Sequence, residues 1–483
     1  MDRSLASRLA HIGLLALLAG CVAVPRERAA GDIDKVLTAR GAAPAAWQAA
    51  PGADAAENAD VAELLGQPLT VERATQVAFI RNARIRETYA TLGIAEADVL
   101  DAVRLGNPTF GYTDLSPREG GGSSQITRSV SLSVANILLL PARSRLARGE
   151  FERVRQSVTA ALLELAVDVE RAWYEHVSAK QVAEMRDAVA TAGAASAEFA
   201  ERSFTAGNLT PRDLALERAA ASEARMQAAR AAAEVMRART ALAAVLGIST
   251  RDAWDSPGKL AAPPAEESSQ EALVDEALTA RFDVAASRRE VALFEDALSV
   301  TRRWRLLGDV DVGYERESKT DGARVHGPSL ALQLPIFNQG QGQVLRAEAQ
   351  LEAARARLTA LELDVRNDVA LGLDQLATTR AIAEAYRTAL VPQREEVVRR
   401  EMERYNFMLG GIFEVLQARR AEFDAYQGYL ESVRDFWVAC AELRRAVGGQ
   451  RVCDDRGEPT IGVEDILEPR KEGMQHMDHG EMP

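Results

Sequence analysis

The chain has 483 residues, with 58 Lys and Arg against 71 Asp and Glu, for a formal net charge of −13. That acidic balance, with no basic stripe to offset it, speaks against a nucleic-acid partner. A hydrophobic content of 47% suits a folded protein, but only 5% aromatic residues argues against one large core.

Residues 1–20 read as a secretion signal. Arg3 and Arg8 are followed by an apolar run from Leu9 to Leu18 and then by Leu18-Ala19-Gly20-Cys21. The run is too short to cross a bilayer as a helix. Residues 21–68 are rich in Ala, Gly and Pro and read as an extended segment. Leu69-Thr70 then opens a helix expected to run to about Gly106, softened at Gly93.

From there the chain is written twice. A helix ending in Phe110-Gly111-Tyr112 returns as one ending in Val312-Gly313-Tyr314, and the strand Ser129–Val134 returns as Ser329–Leu334. After each strand comes a long helix with an apolar stripe. Val158, Leu162, Leu165, Val169, Trp173 and Val177 correspond at one constant offset to Ala354, Leu358, Leu361, Val365, Val369 and Leu373. A period of about 200 residues is far beyond the ~20–50 of a solenoid unit, so a whole domain is duplicated. The repeats span 69–248 and 269–449, joined by a crossover at 249–268. Residues 450–483 form a tail.

The strands alternate strictly. Val130, Leu132 and Val134 interleave with Ser129, Ser131 and Ser133. Val310, Val312 and Tyr314 interleave with Asp309, Asp311 and Gly313, and Leu330, Leu332 and Leu334 with Ser329, Ala331 and Gln333. Period two gives one apolar and one polar face. Such a face suits either a soluble sheet or a membrane barrel with a wet lumen. Closed membrane barrels need about eight strands or more, and four strands alone would leave open edges in lipid. Either the sheet is small and soluble, or several chains pool their strands. Helix length favours pooling: 141–204 and 339–405 are nearly free of Gly and Pro, ~95–100 Å each at ~1.5 Å per residue. The fold class is therefore mainly α with a small β part, built from duplicated long α-hairpins.

Each long helix ends in a turn. In the first repeat Thr210 suits the N-cap of the return helix, Pro211 its first position and Asp213 its positive dipole end. The second turn carries Met408-Leu409-Gly410-Gly411. Pro257-Gly258 and Pro263-Pro264 mark the crossover, after which Ser268 and Glu271 offer a capping box.

These residues resemble the TolC-type outer membrane efflux proteins over the whole mature chain. The most specific stretch is Ser329-Leu330-Ala331-Leu332-Gln333-Leu334-Pro335-Ile336-Phe337-Asn338-Gln339-Gly340, supported by the paired turns and by Val415-Leu416-Gln417-Ala418-Arg419. Leu18-Ala19-Gly20-Cys21 resembles the bacterial lipobox, which implies a lipid on Cys21, and Val22 implies the outer membrane as destination. The resemblance implies a homotrimer in which three chains give four strands each to a 12-stranded outer membrane barrel. Their helices would form a tapered periplasmic α-barrel holding most of the mass. It further implies a passive exit duct working with a periplasmic adaptor and an inner membrane pump, of the RND type, with no cofactor of its own. The adaptor contacts would fall on Gly207, Asn208, Leu209, Thr210, Met408, Leu409, Gly410 and Gly411. Met408 stands where the family has Gly, and Asn136-Ile137-Leu138-Leu139-Leu140-Pro141 departs from the Leu-Pro-Ile-Phe pattern.

The remaining candidates are local. Ser129, Ser131, Ser133, Asp309, Asp311 and Gln333 would line a lumen, where the aspartates either are simply solvated or favour cations. Glu395, Glu396, Glu401 and Glu403 near the second turn are surface charge, or carboxylates that repel at a constriction. Catalysis finds no support: His176 and His326 lack nucleophile partners in the pattern, and Gly340-Gln341-Gly342 lacks the rest of a phosphate loop. Cys440 and Cys453 either pair or stay as thiols. The tail residues Met474, His476, Met477, His479 and Met482 combine thioether and imidazole, a donor set for Cu(I). It resembles Met-Asp-His motifs of periplasmic copper-resistance proteins, unless it is incidental. Cargo is then copper or other heavy metals, with general multidrug efflux as the alternative. A non-transporting coiled-coil lipoprotein is the competing class, disfavoured by two β-hairpins at matching places.

Overall fold

The computed structural model describes residues 26–40, 54–116, 123–264, 269–450, 452–453 and 459–461. The lipobox with Cys21, Ser268 of the expected capping box, and the Met/His tail lie outside the described residues. The described residues form two compact units, one drawn from 26–33, 86–160 and 282–363, the other from 34–85, 161–281 and 364–461. Each repeat contributes to both.

The first unit carries the sheet. Helix α4 (Ala83–Ala102) leads to β1 (Thr109–Leu115) and β2 (Gln125–Ser133), and α8 (Phe282–Trp304) leads to β4 (Val310–Ser318) and β5 (Arg324–Leu332). The helices stop short of Phe110-Gly111-Tyr112 and Val312-Gly313-Tyr314, which are strand residues. The glycine common to both segments has a packing reason. Gly111 faces Ser129 and Gly313 faces Ser329 in register. A Cβ on Gly111 would meet the Ser129 Oγ at 2.5 Å, and one on Gly313 would meet that of Ser329 at 2.8 Å. All neighbouring pairs are antiparallel, in the order β1-β2-β4-β5.

Val134 begins helix α5 (Val134–Thr205) rather than ending β2, so Pro141 sits inside the helix and the first junction has no loop. Leu334 lies past the end of β5. There Gln333 N donates to Asp309 O at 2.9 Å, and the chain turns through Gly340 at φ 76° into α9 (Gln341–Ala385). Leu298 of α8 packs with Ala347 and Leu351 of α9.

The second unit holds the other helices. Residues expected to be extended instead form α1 (Arg26–Ala39), which runs through Gly31, and α2 (Asp54–Leu65), where four Ala in twelve residues favour the helix. In α3 (Val71–Arg81) Thr70 Oγ1 accepts from Arg73 N at the N-cap. The break before α4 falls at Asn82, not at Gly93, which stays helical.

That break exposes the duplication. Asn82 (ψ 117°) ends α3 as Arg281 (ψ 129°) ends α7 (Gln270–Ala280). Asn82 Nδ2 donates to Val245 O at 2.7 Å, and Arg281 Nη1 to Ala446 O at 3.0 Å. Each bond satisfies an orphan last-turn carbonyl of a return helix, α6 (Pro211–Leu246) or α11 (Ile412–Ala446). Gly247 and Gly448 follow those helices at φ 74° and 80°, against Arg81–Asn82 and Arg281. The N-cap of α7 is Ser269, whose hydroxyl makes no capping bond.

The buried stripe of α5 is as expected, with Val158, Leu162, Val169 and Val177 fully inside; its counterpart in α9 is only half-buried at Leu358, Leu361 and Leu373. After α9 a π-turn, Tyr386–Leu390, precedes α10 (Val391–Asn406). Pro392 has no N–H to continue the regular ladder, which accounts for the slip.

Cys440 and Cys453 form a disulfide. Beyond it β6 (Thr460–Ile461) pairs with β3 (Leu260–Ala261) of the crossover, and Trp437 Nε1 donates to Ala261 O at 2.7 Å. Buried Arg444 donates to Glu170 at 2.9 Å and to the carbonyls of Gly449 and Arg40.

Candidate functional site

Two places answer to the expected site residues. On the sheet, directly opposed residues of antiparallel strands share a face. The register therefore puts Ser129, Ser131, Ser133, Asp311, Ser329 and Ala331 on one side, with Gly111, Gly313 and Glu315. Asp309 and Gln333 continue that side just past the ladder, where Gln333 Oε1 accepts from Asp309 N at 3.4 Å. The other side carries Phe110, Val130, Leu132, Val312, Tyr314, Leu330 and Leu332. Its residues are the more exposed, with Phe110 at 66% and Leu330 at 70%, and form an unpartnered apolar surface. Among the described residues, edge strands β1 and β5 each have one unpaired edge.

The second place is the pair of helix turns, which share one backbone solution. After α5, Asn208 N donates to Ser203 O and Gly207 N to Phe204 O, with Gly207 at φ 78°. After α10, Leu409 N donates to Arg404 O and Met408 N to Tyr405 O, with Met408 at φ 57°. Both are Schellman caps with the left-handed residue at C′. Met408 is the one non-glycine among the described residues with positive φ, and it is 93% exposed. The return helices start differently. Thr210 Oγ1 accepts from Asp213 N at 3.2 Å with Pro211 next, whereas Gly411 caps α11 without a side chain. Phe407, Met408 and Leu409 stand in solvent, and Leu209 is half-buried.

The acidic run near the second turn is not bare negative charge. Glu396 accepts from Arg399 and Arg400, which hold its carboxyl below the usual range. Glu403 pairs with Arg400 at 3.1 Å and Glu401 with Arg404 at 2.9 Å. Arginines three or four residues away on either side compensate these carboxylates. Glu395 accepts from the Tyr426 hydroxyl of α11.

Sequence reasoning missed a buried network nearby. Glu217 of α6 accepts from Ser196 Oγ of α5 at 2.8 Å and from Arg420 of α11 at 2.9 Å. Glu422 accepts from Arg419 at 2.7 Å, yet burial raises its carboxyl above the usual range despite that partner. The available signal was a carboxylate in the buried stripe Leu214-Glu217-Ala221 of α6.

His176 is buried against Trp254, with ring centroids 5.0 Å apart, and Arg239 stacks on Trp254 at 3.9 Å. Burial, then Arg239 and Lys180, lower its pKa to about 4, so the ring is neutral at pH 7. His326 is exposed in β5. Among the described residues no group of three or more His, Cys, Asp or Glu is arranged to hold a metal. Nor is any described helix long and apolar enough to cross a membrane.

Comparison with known proteins agrees with this architecture. Residues 273–449, nearly all of the second repeat, match the family model "Outer membrane efflux protein". The cobalt-zinc-cadmium resistance protein CzcC of Cupriavidus metallidurans is 26% identical over 79% of this chain and 90% of its own length. A membrane protein from Pseudomonas aeruginosa shares the fold at a TM-score of 0.66 and 19% identity, over 80% of this chain and 91% of that one. CusC does so at 0.63 and 15%, over 79% and 92%. The duplicated hairpins and the four-stranded sheet are the fold of these solved channels, and the second repeat is similar in sequence to outer membrane efflux proteins.

Proposed function

We propose that three copies of this chain form the exit duct of a tripartite efflux system. The chain is an outer membrane channel protein with a large periplasmic helical part, not an enzyme. The observation that carries the trimer is the sheet: four strands, two free edges and an exposed apolar face. Open edges are not tolerated in lipid, so β1 of one copy pairs with β5 of the next until twelve strands close. Ser129, Ser131, Ser133, Asp309, Asp311 and Gln333 then line a wet lumen, and the apolar face meets lipid. Cys21 carries a lipid as a second anchor.

The helix turns are the adaptor contact. Gly207, Asn208, Leu209 and Thr210 of one turn, and Met408, Leu409, Gly410 and Gly411 of the other, meet the periplasmic adaptor of an RND-type pump. Exposure of Phe407, Met408 and Leu409 together supports this. Substituting Gly410 and Leu409 with large charged residues is expected to leave trimers intact and abolish export. Unchanged export by such variants would remove the adaptor contact from this turn.

The cargo is metal ions. The name of the relative CzcC supports it, as does the donor set Met474, His476, Met477, His479 and Met482, which suits Cu(I). Cells bearing the chain without residues 473–483 should lose copper tolerance and keep drug tolerance. Loss of both, or of drug tolerance alone, would return the cargo to general multidrug efflux.

A further inference from the structure

The apolar face of the sheet changes character at one level. The register sets Tyr112, Arg128, Arg316 and His326 in a single row across all four strands. One row nearer the helices, on the same face, stand Phe110, Val130, Tyr314 and Pro328. Arg128, Arg316 and His326 are exposed. The Arg128 guanidinium lies 5.9 Å from the Tyr112 ring centroid, and the Tyr314 and His326 rings are 6.0 Å apart.

Like charges directly opposite one another destabilise a strand pair, yet Arg128 is paired with Arg316. Among the described residues neither guanidinium has a carboxylate partner. Glu315 and Glu317 lie on the opposite face, where Glu317 accepts from Gln125. Asp114 shares the face but sits one row outward, opposite Ile126. The row therefore presents uncompensated positive charge at the upper border of the apolar band. Within β5, Leu332 and His326 are six residues apart: ~20 Å of strand at ~3.4 Å per residue, or ~16 Å of height at a ~40° tilt, so β5 spans about two thirds of the ~25 Å apolar band of outer membrane barrels below the row.

We propose that the Arg128–Arg316–His326 row binds the phosphate groups of outer-leaflet glycolipids. Guanidinium forks match phosphate oxygens in geometry and charge, and the flanking tyrosines suit the bilayer interface. Since the hairpin turns point away from the periplasmic helices, the row faces the outer leaflet. A closed trimer carries three such rows. The proposal rests on the barrel reading above.

The test uses the full-length protein reconstituted in phosphatidylcholine nanodiscs doped with lipid A, with bound lipid counted by native mass spectrometry. Wild type is expected to retain lipid A. The variant Arg128→Gln/Arg316→Gln should lose it by about tenfold, the scale of one lost charge-assisted bond, while Arg128→Lys/Arg316→Lys keeps most of it. Equal retention by wild type and the Gln variant, both inserted as intact oligomers, overturns the lipid site and leaves the barrel standing. Failure of wild type to insert overturns the barrel and the lipid site together.

Discussion

Met408 tests whether the two helix turns are the same structure. It occupies the left-handed C′ position at φ 57° that Gly207 fills in the first repeat. A side chain there crowds the backbone at a cost of ~1–2 kcal/mol relative to glycine, while Met408, at 93% exposure, has almost no packing to lose. Met408→Gly should therefore stabilise the local turn by about 1 kcal/mol after glycine's extra unfolded-state entropy is subtracted. Gly207→Ala should destabilise the first turn by a similar ~1 kcal/mol. Amide hydrogen exchange over 403–411 and 203–210 reads both locally. A stabilisation of ~1 kcal/mol slows exchange about fivefold and the reverse speeds it about fivefold. Exchange unchanged or faster in Met408→Gly would show that the second turn is not held in this conformation, and the equivalence of the turns would fall.

On the sheet, Leu330→Arg, nearer the middle of the apolar band on the lipid side, should cost ~2–4 kcal/mol and block membrane assembly, whereas Gln333→Asn on the polar side should be mild; cell fractionation with heat-modified gel mobility checks it, and the reverse order would invert the faces. Because the folded pKa of His176 is lowered to about 4 from 6.5, the unfolded chain binds more protons between those values and stability rises with pH across that window. The associated loss, absent above pH ~6.5 and complete below pH ~4, is on the order of 3 kcal/mol; melting curves of His176→Phe should lack it, and an unaltered acid loss in that variant would contradict the assignment. Reducing Cys440–Cys453, which are 13 residues apart, should cost ~3 kcal/mol of chain entropy, seen as a lower melting temperature under reductant that Cys453→Ser reproduces without reductant.

What was legible in the sequence followed from local rules. Alternation fixed the sheet faces, and Thr210, Pro211 and Asp213 placed the start of α6 to the residue. The duplication was visible as a constant offset, but its reason was not. The pairing of Gly111 with Ser129, and the docking of Asn82 and Arg281 onto the return helices, join residues far apart in the chain. The break at Asn82 misled for the same reason: Gly93 is the weaker helix former, yet tertiary bonding from Asn82 to Val245 decides where the helix stops. For the carboxylates of α10, surface charge and repulsion both stood open in the sequence, and the arginines paired with Glu396, Glu401 and Glu403 favour surface charge. The buried pairs of Glu217 and Glu422 were missed, although each carboxylate stands in an apolar stripe, Leu214-Glu217-Ala221 and Ala418-Glu422-Ala425.

The central claim is that strands from separate copies close one barrel. Native mass measurement of the full chain extracted from outer membranes in mild detergent tests it most directly. A barrel closed by strands of three copies gives a trimeric species that persists on dilution, and a population of stable monomers or dimers would contradict it.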